Sequence, residues 1–344
     1  MNLYLDDRIE SGSDAGRGNL LGIQPYMIAA DYISEGTFLE KLDGYLEAAH
    51  QKGWLNPLSV AVLPEYLGTW LVVLGESTQV HQAKTIKQAT RPIALRNMMS
   101  FLQELWSARE DHKVDASILR MKAPQMAHVY QTVFSKLAAK YGVTIVGGSI
   151  LLPSPSIEEG VIKTGKGKLY NVSAVFKPDG HVHPALSVKS FPIATELPFV
   201  ASGSPGNLPV FETPAGRLGV LICADSFYPQ AYEQMKSLKA DLLAVPSFST
   251  GKGLWNQAWS GYSGAEAPAD VDPVDTGRLT EGEAWHKYAL LGRIASAGVK
   301  YGVNVFLHGE LWDLEAENSP SIMVDGQAWV EASATRAALI NLWL

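Results

Sequence analysis

Short uninterrupted apolar runs alternate along this chain with longer stretches whose apolar residues recur every three or four positions. That is the pattern of strands and amphipathic helices in a layered α/β fold. The runs SVAVL, VTIVGGSILL, RLGVLICA and DLLAVPSF have buried-strand length, well below the ~18 apolar residues of a membrane span. A first strand is predicted from Leu20 to Met27. Phe38, Leu39, Leu42, Leu46 and Ala49 then mark a helix over Thr37 to His50, stopped by Gln51, Lys52 and Gly53. A strand is predicted at Ser59 to Leu63, helices at Ile93 to Ala108 and Pro124 to Tyr141, and a strand at Val143 to Leu152. The second helix opens on a proline, as a first helical turn allows.

The middle of the chain changes character. NVSAVFKPDGHVHPALSVK reads as two strands joined by a Pro-Asp-Gly turn. RLGVLICA, a helix from Gln230 to Ala240 and DLLAVPSF then repeat the alternation of the first half, which suggests two packed sheets. From Gly251 to Glu283 the chain is rich in Gly, Pro, Asp, Ser and Trp without a period, too long for a simple connector. It is a candidate lid or subunit-contact loop. A helix from Ala284 to Lys300 and strands in VNVFLHG and SIMVDG close the series.

Composition narrows the classes. With 344 residues, 47% hydrophobic and 18% charged, the chain is an ordinary globular one, not a disordered or fibrous one. Thirty-five acidic against 28 basic residues give a net charge of −7, and no run of Lys and Arg is dense enough to neutralise a phosphate backbone, so no nucleic-acid partner is expected. Residues 1–19 carry acids where a signal peptide carries a basic patch, and they read as a mobile polar leader ahead of a single domain over 20–344. Without a span or a secretory signal, a cytoplasmic protein with no membrane partner is expected. The one cysteine, Cys223, excludes an intrachain disulfide and fits a reducing compartment or a thiol kept for its chemistry.

Several motifs fail on inspection. GVIKTGKG has the glycine spacing of a phosphate loop, but Gly167 stands where a Ser or Thr holds magnesium, so it reads as a solvated hairpin tip. His181 and His183 lack a third ligand nearby, and no metal or cofactor is expected. Asn171-Val172-Ser173 matches a glycosylation sequon but lies in a predicted strand. Three segments remain, SVAVLPEY, ALSVKSFPIATELPFVASG and RLGVLICADSFYP, each with an ionisable residue at the end of an apolar strand, where layered folds build sites. Glu65, Lys189 and Cys223 together suffice for acyl transfer. The carboxylate takes the thiol proton, the thiolate attacks, and a neighbouring ammonium is expected to lower the thiol pKa. Taken singly, each has a plainer reading: a core cysteine, a capping glutamate, a solvated lysine.

Taken together, these segments resemble the nitrilase, or carbon-nitrogen hydrolase, superfamily from about Leu20 to Gly326. LGIQPYM and AVLPEY match the strand and the glutamate signature. VKSFPIATELPFVASG supplies the lysine, Pro192, the second glutamate Glu196 and Gly203. GRLGVLICADSFYP matches the nucleophile segment with Cys223, Asp225 and Pro229. The helix after Trp285 keeps Arg293 but has Ser296 and Ala297 where the family pattern has Glu and Asn. The resemblance implies a four-layer α-β-β-α sandwich of the nitrilase type that forms a homodimer or higher homo-oligomer through a helical layer. It implies Glu65 as base, Lys189 and the backbone N–H of Ala224 as oxyanion donors, Cys223 as nucleophile and Glu196 in support. The activity implied is hydrolysis of a small linear amide or carbamoyl compound through a thioester, since acid two residues after the cysteine is the amidase pattern. Nitrile hydrolysis by the same residues, and a catalytically idle scaffold or binding protein of the same fold, are the alternatives.

Overall fold

The computed structural model describes residues 2–251, 253–316, 319–326, 328–332 and 335–344. Two sheets pack face to face. The first runs, in order, Leu5–Ser11, Ala337–Trp343, Asn19–Gln24, Ser59–Val62, Thr144–Val146, Leu169–Phe176 and Val182–Val188, with Ile150–Pro153 also paired to Leu169–Phe176. The second runs Val210–Thr213, Gly216–Val220, Leu242–Ser247, Tyr301–Phe306, Ile322–Asp325 and Ala328–Glu331. Three neighbouring strands in the middle of each sheet are parallel.

The period of two along each strand sorts side chains between layers. Leu20, Val60, Val62 and Val146 of the first sheet meet Leu218, Leu242, Ala244 and Val303 of the second in a core between the sheets. Their neighbours Leu21, Ala61 and Ile145 face outward onto Phe38 and Leu42 of the helix Glu35–Gln51 and Met126 and Phe134 of the helix Lys113–Tyr141. Leu243 and Val245 face the other way, onto Ala231, Tyr232 and Met235 of the helix Pro229–Ser237. Both faces of both sheets are thus covered, which is why the central strands are continuous apolar runs. The result is the α-β-β-α sandwich that the sequence leads one to expect.

The structure corrects several expected elements. The segment read as a mobile leader forms the strand Leu5–Ser11, paired in parallel with Ala337–Trp343. Its alternate half-burial, with Leu5 and Ile9 turned inward, marks an edge strand and is too polar to read as one from sequence. The helix expected from Pro124 begins at Lys113, with Pro124 inside it. The one expected over Ile93 to Ala108 is two helices, Ile86–Arg96 and Met98–Ser107, broken at Asn97. The expected helix from Ala284 breaks into Glu281–Tyr288, Leu290–Arg293 and a 3-10 turn ending at Ala297. Among the described residues no helix is long and apolar enough to cross a membrane.

Candidate active site

Glu65 stands three residues past the Ser59–Val62 strand, and the bend that places it depends on a close backbone approach. Gly148, at φ +68, passes so near Pro64 that an added Cβ would lie 2.1 Å from the Pro64 carbonyl oxygen. Only glycine is tolerated there. Lys189 follows the Val182–Val188 strand, and its backbone is fastened on both sides: its N–H donates to Asn171 and its carbonyl accepts from Gly203. Glu196 lies on the turn after it.

These three side chains meet in the interior. Lys189 Nζ lies 2.8 Å from Glu65 Oε1 and 2.7 Å from Glu196 Oε2. Asn171 Nδ2 donates to Glu65 Oε1 at 2.8 Å and reaches Glu196 Oε1 at 3.4 Å. The Tyr66 hydroxyl donates to Glu196 Oε1, and the Ile193 N–H to Glu196 Oε2 at 2.8 Å. Glu65 and Lys189 are each 1% exposed, so a lone charge here would be costly and a hydrogen-bonded set is required.

Cys223 comes from the other sheet. It opens the 3-10 turn Cys223–Phe227 after the Gly216–Val220 strand, with φ +51, a left-handed conformation that side chains rarely adopt. Its Sγ lies 3.7 Å from the Phe248 carbonyl oxygen. Asp225 sews this turn to the lysine loop: Oδ1 accepts from the N–H groups of Ser190 and Phe191 at 2.8 and 2.9 Å, and Oδ2 from that of Ile222 at 3.2 Å. Phe191 and Tyr228 stack across the same seam at 3.8 Å. Asp225 is therefore committed to backbone and holds the two loops in register.

Electrostatics separate the two glutamates. Burial raises Glu65 to about 7, against the pull of the Lys189 ammonium and with the push of the Glu196 charge. Burial works against Glu196 as well, but Lys189 and the hydrogen bonds from Tyr66 and Ile193 outweigh it and hold it below the usual carboxylate range. The Lys189 ammonium resists the same burial because both carboxylates face it, and is held well above its ordinary value. Burial raises Asp225 to about 7, opposed by its backbone donors. Cys223 departs from expectation: burial, then the nearby Glu65 charge, push the thiol well above its ordinary value. The ammonium that was expected to lower it already has two carboxylate partners.

Of the residues singled out in the sequence, Lys189 is brought into direct contact with both Glu65 and Glu196, and Cys223 interacts with Glu65 from the turn after the second sheet's Gly216–Val220 strand, in which Ala224 is the next residue. His181 and His183 lie elsewhere, the first exposed and the second against Phe211. Trp255, Trp259 and Tyr262 of the long loop pack within the chain, on Trp285, Tyr288 and Phe227 respectively. Tyr66 escapes notice in the sequence, and Asn171 enters there only as a sequon and not as part of the site. Asn171 is fully buried, so it is no glycan acceptor; a polar residue within the apolar strand LYNVSAVF was the signal to follow.

The pattern of the carbon-nitrogen hydrolase family matches residues 31–267. Among curated proteins, the chain is 34% identical over 132 residues to an omega-amidase NIT2 of Danio rerio, covering 36% of this chain and 44% of that one. It is 27% identical over 146 residues to a probable hydrolase YhcX of Bacillus subtilis, covering 42% and 26%. The matched segment spans less than half the length of these relatives. In fold, the chain is similar to a glutamate-to-glutamine mutant of an amidase from Nesterenkonia sp. AN1 whose active-site cysteine has undergone Michael addition of acrylamide, with a TM-score of 0.55 at 14% identity over 95% of this chain and 93% of that one. A cysteine-to-alanine mutant of the amidase from that organism, in complex with butyramide, gives a TM-score of 0.56 at 13% identity, over 94% and 89%.

Proposed function

The chain belongs to the carbon-nitrogen hydrolase family, and on that premise we propose that it hydrolyses the C–N bond of a small linear amide or carbamoyl compound through a thioester on Cys223. The observation that carries this reading is the buried Glu65–Lys189–Glu196 set, hydrogen-bonded at 2.8 and 2.7 Å and packed against the turn that bears the only cysteine. The amidase kin named above favour an amide over a nitrile.

Cys223 is a thiol at rest, so a base must take its proton as it attacks. Glu65, at about 7, has a pKa suited to accept that proton and return it near neutral pH. The sulfur adds to the carbonyl carbon, and the electron pair moves onto oxygen. Lys189 and the Ala224 N–H, which sits in the first turn of a helix where backbone donors lack helical partners, stabilise that oxyanion. Collapse breaks the C–N bond, and Glu65 passes its proton to the departing nitrogen as ammonia or amine leaves. Glu65 then draws a proton from water, which adds to the thioester; the acid is released and the thiol restored. Glu196, ionised, keeps Lys189 charged and in place.

The test is ammonia release over a broad panel of aliphatic amides and carbamoyl compounds. Cys223→Ala is expected to abolish turnover with the fold retained, and iodoacetamide to add one label per chain in step with lost activity. Equal turnover in the alanine variant would rule the mechanism out.

A further inference from the structure

The helix Met98–Ser107 buries none of its residues. Met98, Met99, Leu102 and Trp106 are 53%, 81%, 44% and 90% exposed, and Leu95 of the preceding helix is 72% exposed. Met99, Leu102 and Trp106 follow one another at spacings of three and four, so they form a continuous stripe. Single exposed apolar residues need no explanation, but a contiguous set including an almost bare tryptophan marks a surface made to be covered.

Charge indicates what covers it. From Thr78 to Ser107 the chain carries Lys84, Lys87, Arg91 and Arg96 against the single acid Glu104, in a protein of net charge −7. Lys87, Arg91 and Leu95 share one helical face, opposite the buried Ala89 and Ile93, and Lys84, Lys87 and Arg91 are solvent-exposed. Arg96 is within 3.8 Å of Glu76. A second copy seated on the same surface would bring like charges together. An anionic bilayer would meet both features at once, apolar side chains entering the acyl boundary and basic ones staying at the headgroups.

We infer that the helix pair Ile86–Arg96 and Met98–Ser107 is a surface-lying membrane-docking element for anionic lipid. No membrane partner is expected from the absence of a span, but an element of this kind needs none. Its placement ties it to the proposed site. The N–H groups of Asp111 and His112, just past the second helix, donate to the carbonyl of Pro198, two residues beyond Glu196, and the His112 ring stacks on Phe199.

The full chain is tested by flotation with vesicles of phosphatidylcholine alone and of phosphatidylcholine with about a quarter phosphatidylglycerol. Binding is expected to the anionic vesicles only, weakening with salt. The pair Met99→Glu and Trp106→Glu is expected to abolish it. Lys87→Gln and Arg91→Gln are each expected to weaken it about fivefold. All four positions are exposed and none belongs to the proposed site, so far-UV dichroism and hydrolysis of a soluble amide should stay unchanged. Failure to float with anionic vesicles, or equal binding to neutral ones, would overturn the inference. So would a dimer in sedimentation equilibrium that Trp106→Glu dissociates, which would assign the surface to a second copy.

Discussion

Glu65 and Glu196 share one ammonium yet sit on opposite sides of the ordinary carboxylate pKa, because their other neighbours differ. Glu196 receives Tyr66 and Ile193 as further donors, whereas Glu65 receives Asn171 and faces the Cys223 thiol. The rate should therefore carry an acid limb. kcat/KM is expected to rise with pH through about 7 as Glu65 loses its proton, and the limb should vanish in Glu65→Gln along with acylation itself. Asp225 also titrates at about 7, so Asp225→Asn is the control: the residual activity of that variant should keep the limb. Stability should move the opposite way. Between the ordinary 4.5 and about 7 the folded protein holds the Glu65 proton longer than the unfolded chain does, so unfolding free energy falls as pH rises across that window. Denaturant titrations at several pH values should show Glu65→Gln flattening this slope. Lys189→Ala is expected to leave two buried carboxylates without their cation, costing about 3–5 kcal/mol of stability and about 10²–10³ in kcat. A loss in kcat below about threefold, against that expectation, would mean that Lys189 is no oxyanion donor.

The Cys223 turn connects local backbone to chemistry at the scale of the element. A strand that ends in a left-handed residue projects the side chain sharply out of the sheet edge, and the strain is held by Asp225 and the packed turn behind it. Cys223→Ala keeps that strain and Cys223→Gly releases it, so the glycine variant should be the more stable by about 1 kcal/mol in urea, with both inactive. The reverse order would mean that the turn relaxes around alanine. Strand runs such as SVAVL and RLGVLICA were legible because burial on both faces leaves a nearly continuous apolar run after the first residue. Element ends were less so: the Lys113–Tyr141 helix carries Pro124 among residues packed on both sides, where tertiary contacts outweigh the lost backbone bond. The ionisable members of the candidate site stood out as charges at strand ends. Tyr66 and Asn171 did not, because neither is charged and each acquires meaning only from a partner about 130 or 25 to 106 residues away.

At the scale of the molecule, the candidate site is a seam between two sheets, and the loop over residues 253–280 packs beside it, with Trp259 on Tyr288 and Tyr262 on Phe227. Arg293 anchors that loop, its guanidinium gripping Asp270 at 2.6 and 3.2 Å while Nε donates to the Tyr288 carbonyl. Tyr262 then donates to the Phe227 carbonyl behind the nucleophile turn, and Ser263 accepts from the Ala194 N–H on the lysine side. Next in the chain Gly264, at φ +90, lies so close to the Glu196 turn that an added Cβ would sit 2.2 Å from the Pro192 carbonyl oxygen. The loop thus bridges the elements that carry Cys223 and Glu196, and its fit is expected to set their spacing. Gly264→Ala should push them apart. Because misplacement by about 1 Å costs roughly 10²-fold in an oriented reaction, kcat is expected to fall by at least about tenfold, while the positive φ alone costs about 1–2 kcal/mol of stability and the displaced backbone of Pro192 and Ile193 adds to it. Asp270→Asn, which loosens the anchor without adding bulk, should raise KM and open the loop to limited proteolysis, leaving iodoacetamide labelling of Cys223 intact. If both variants hydrolyse amide at the wild-type rate, the loop covers the seam without setting its geometry.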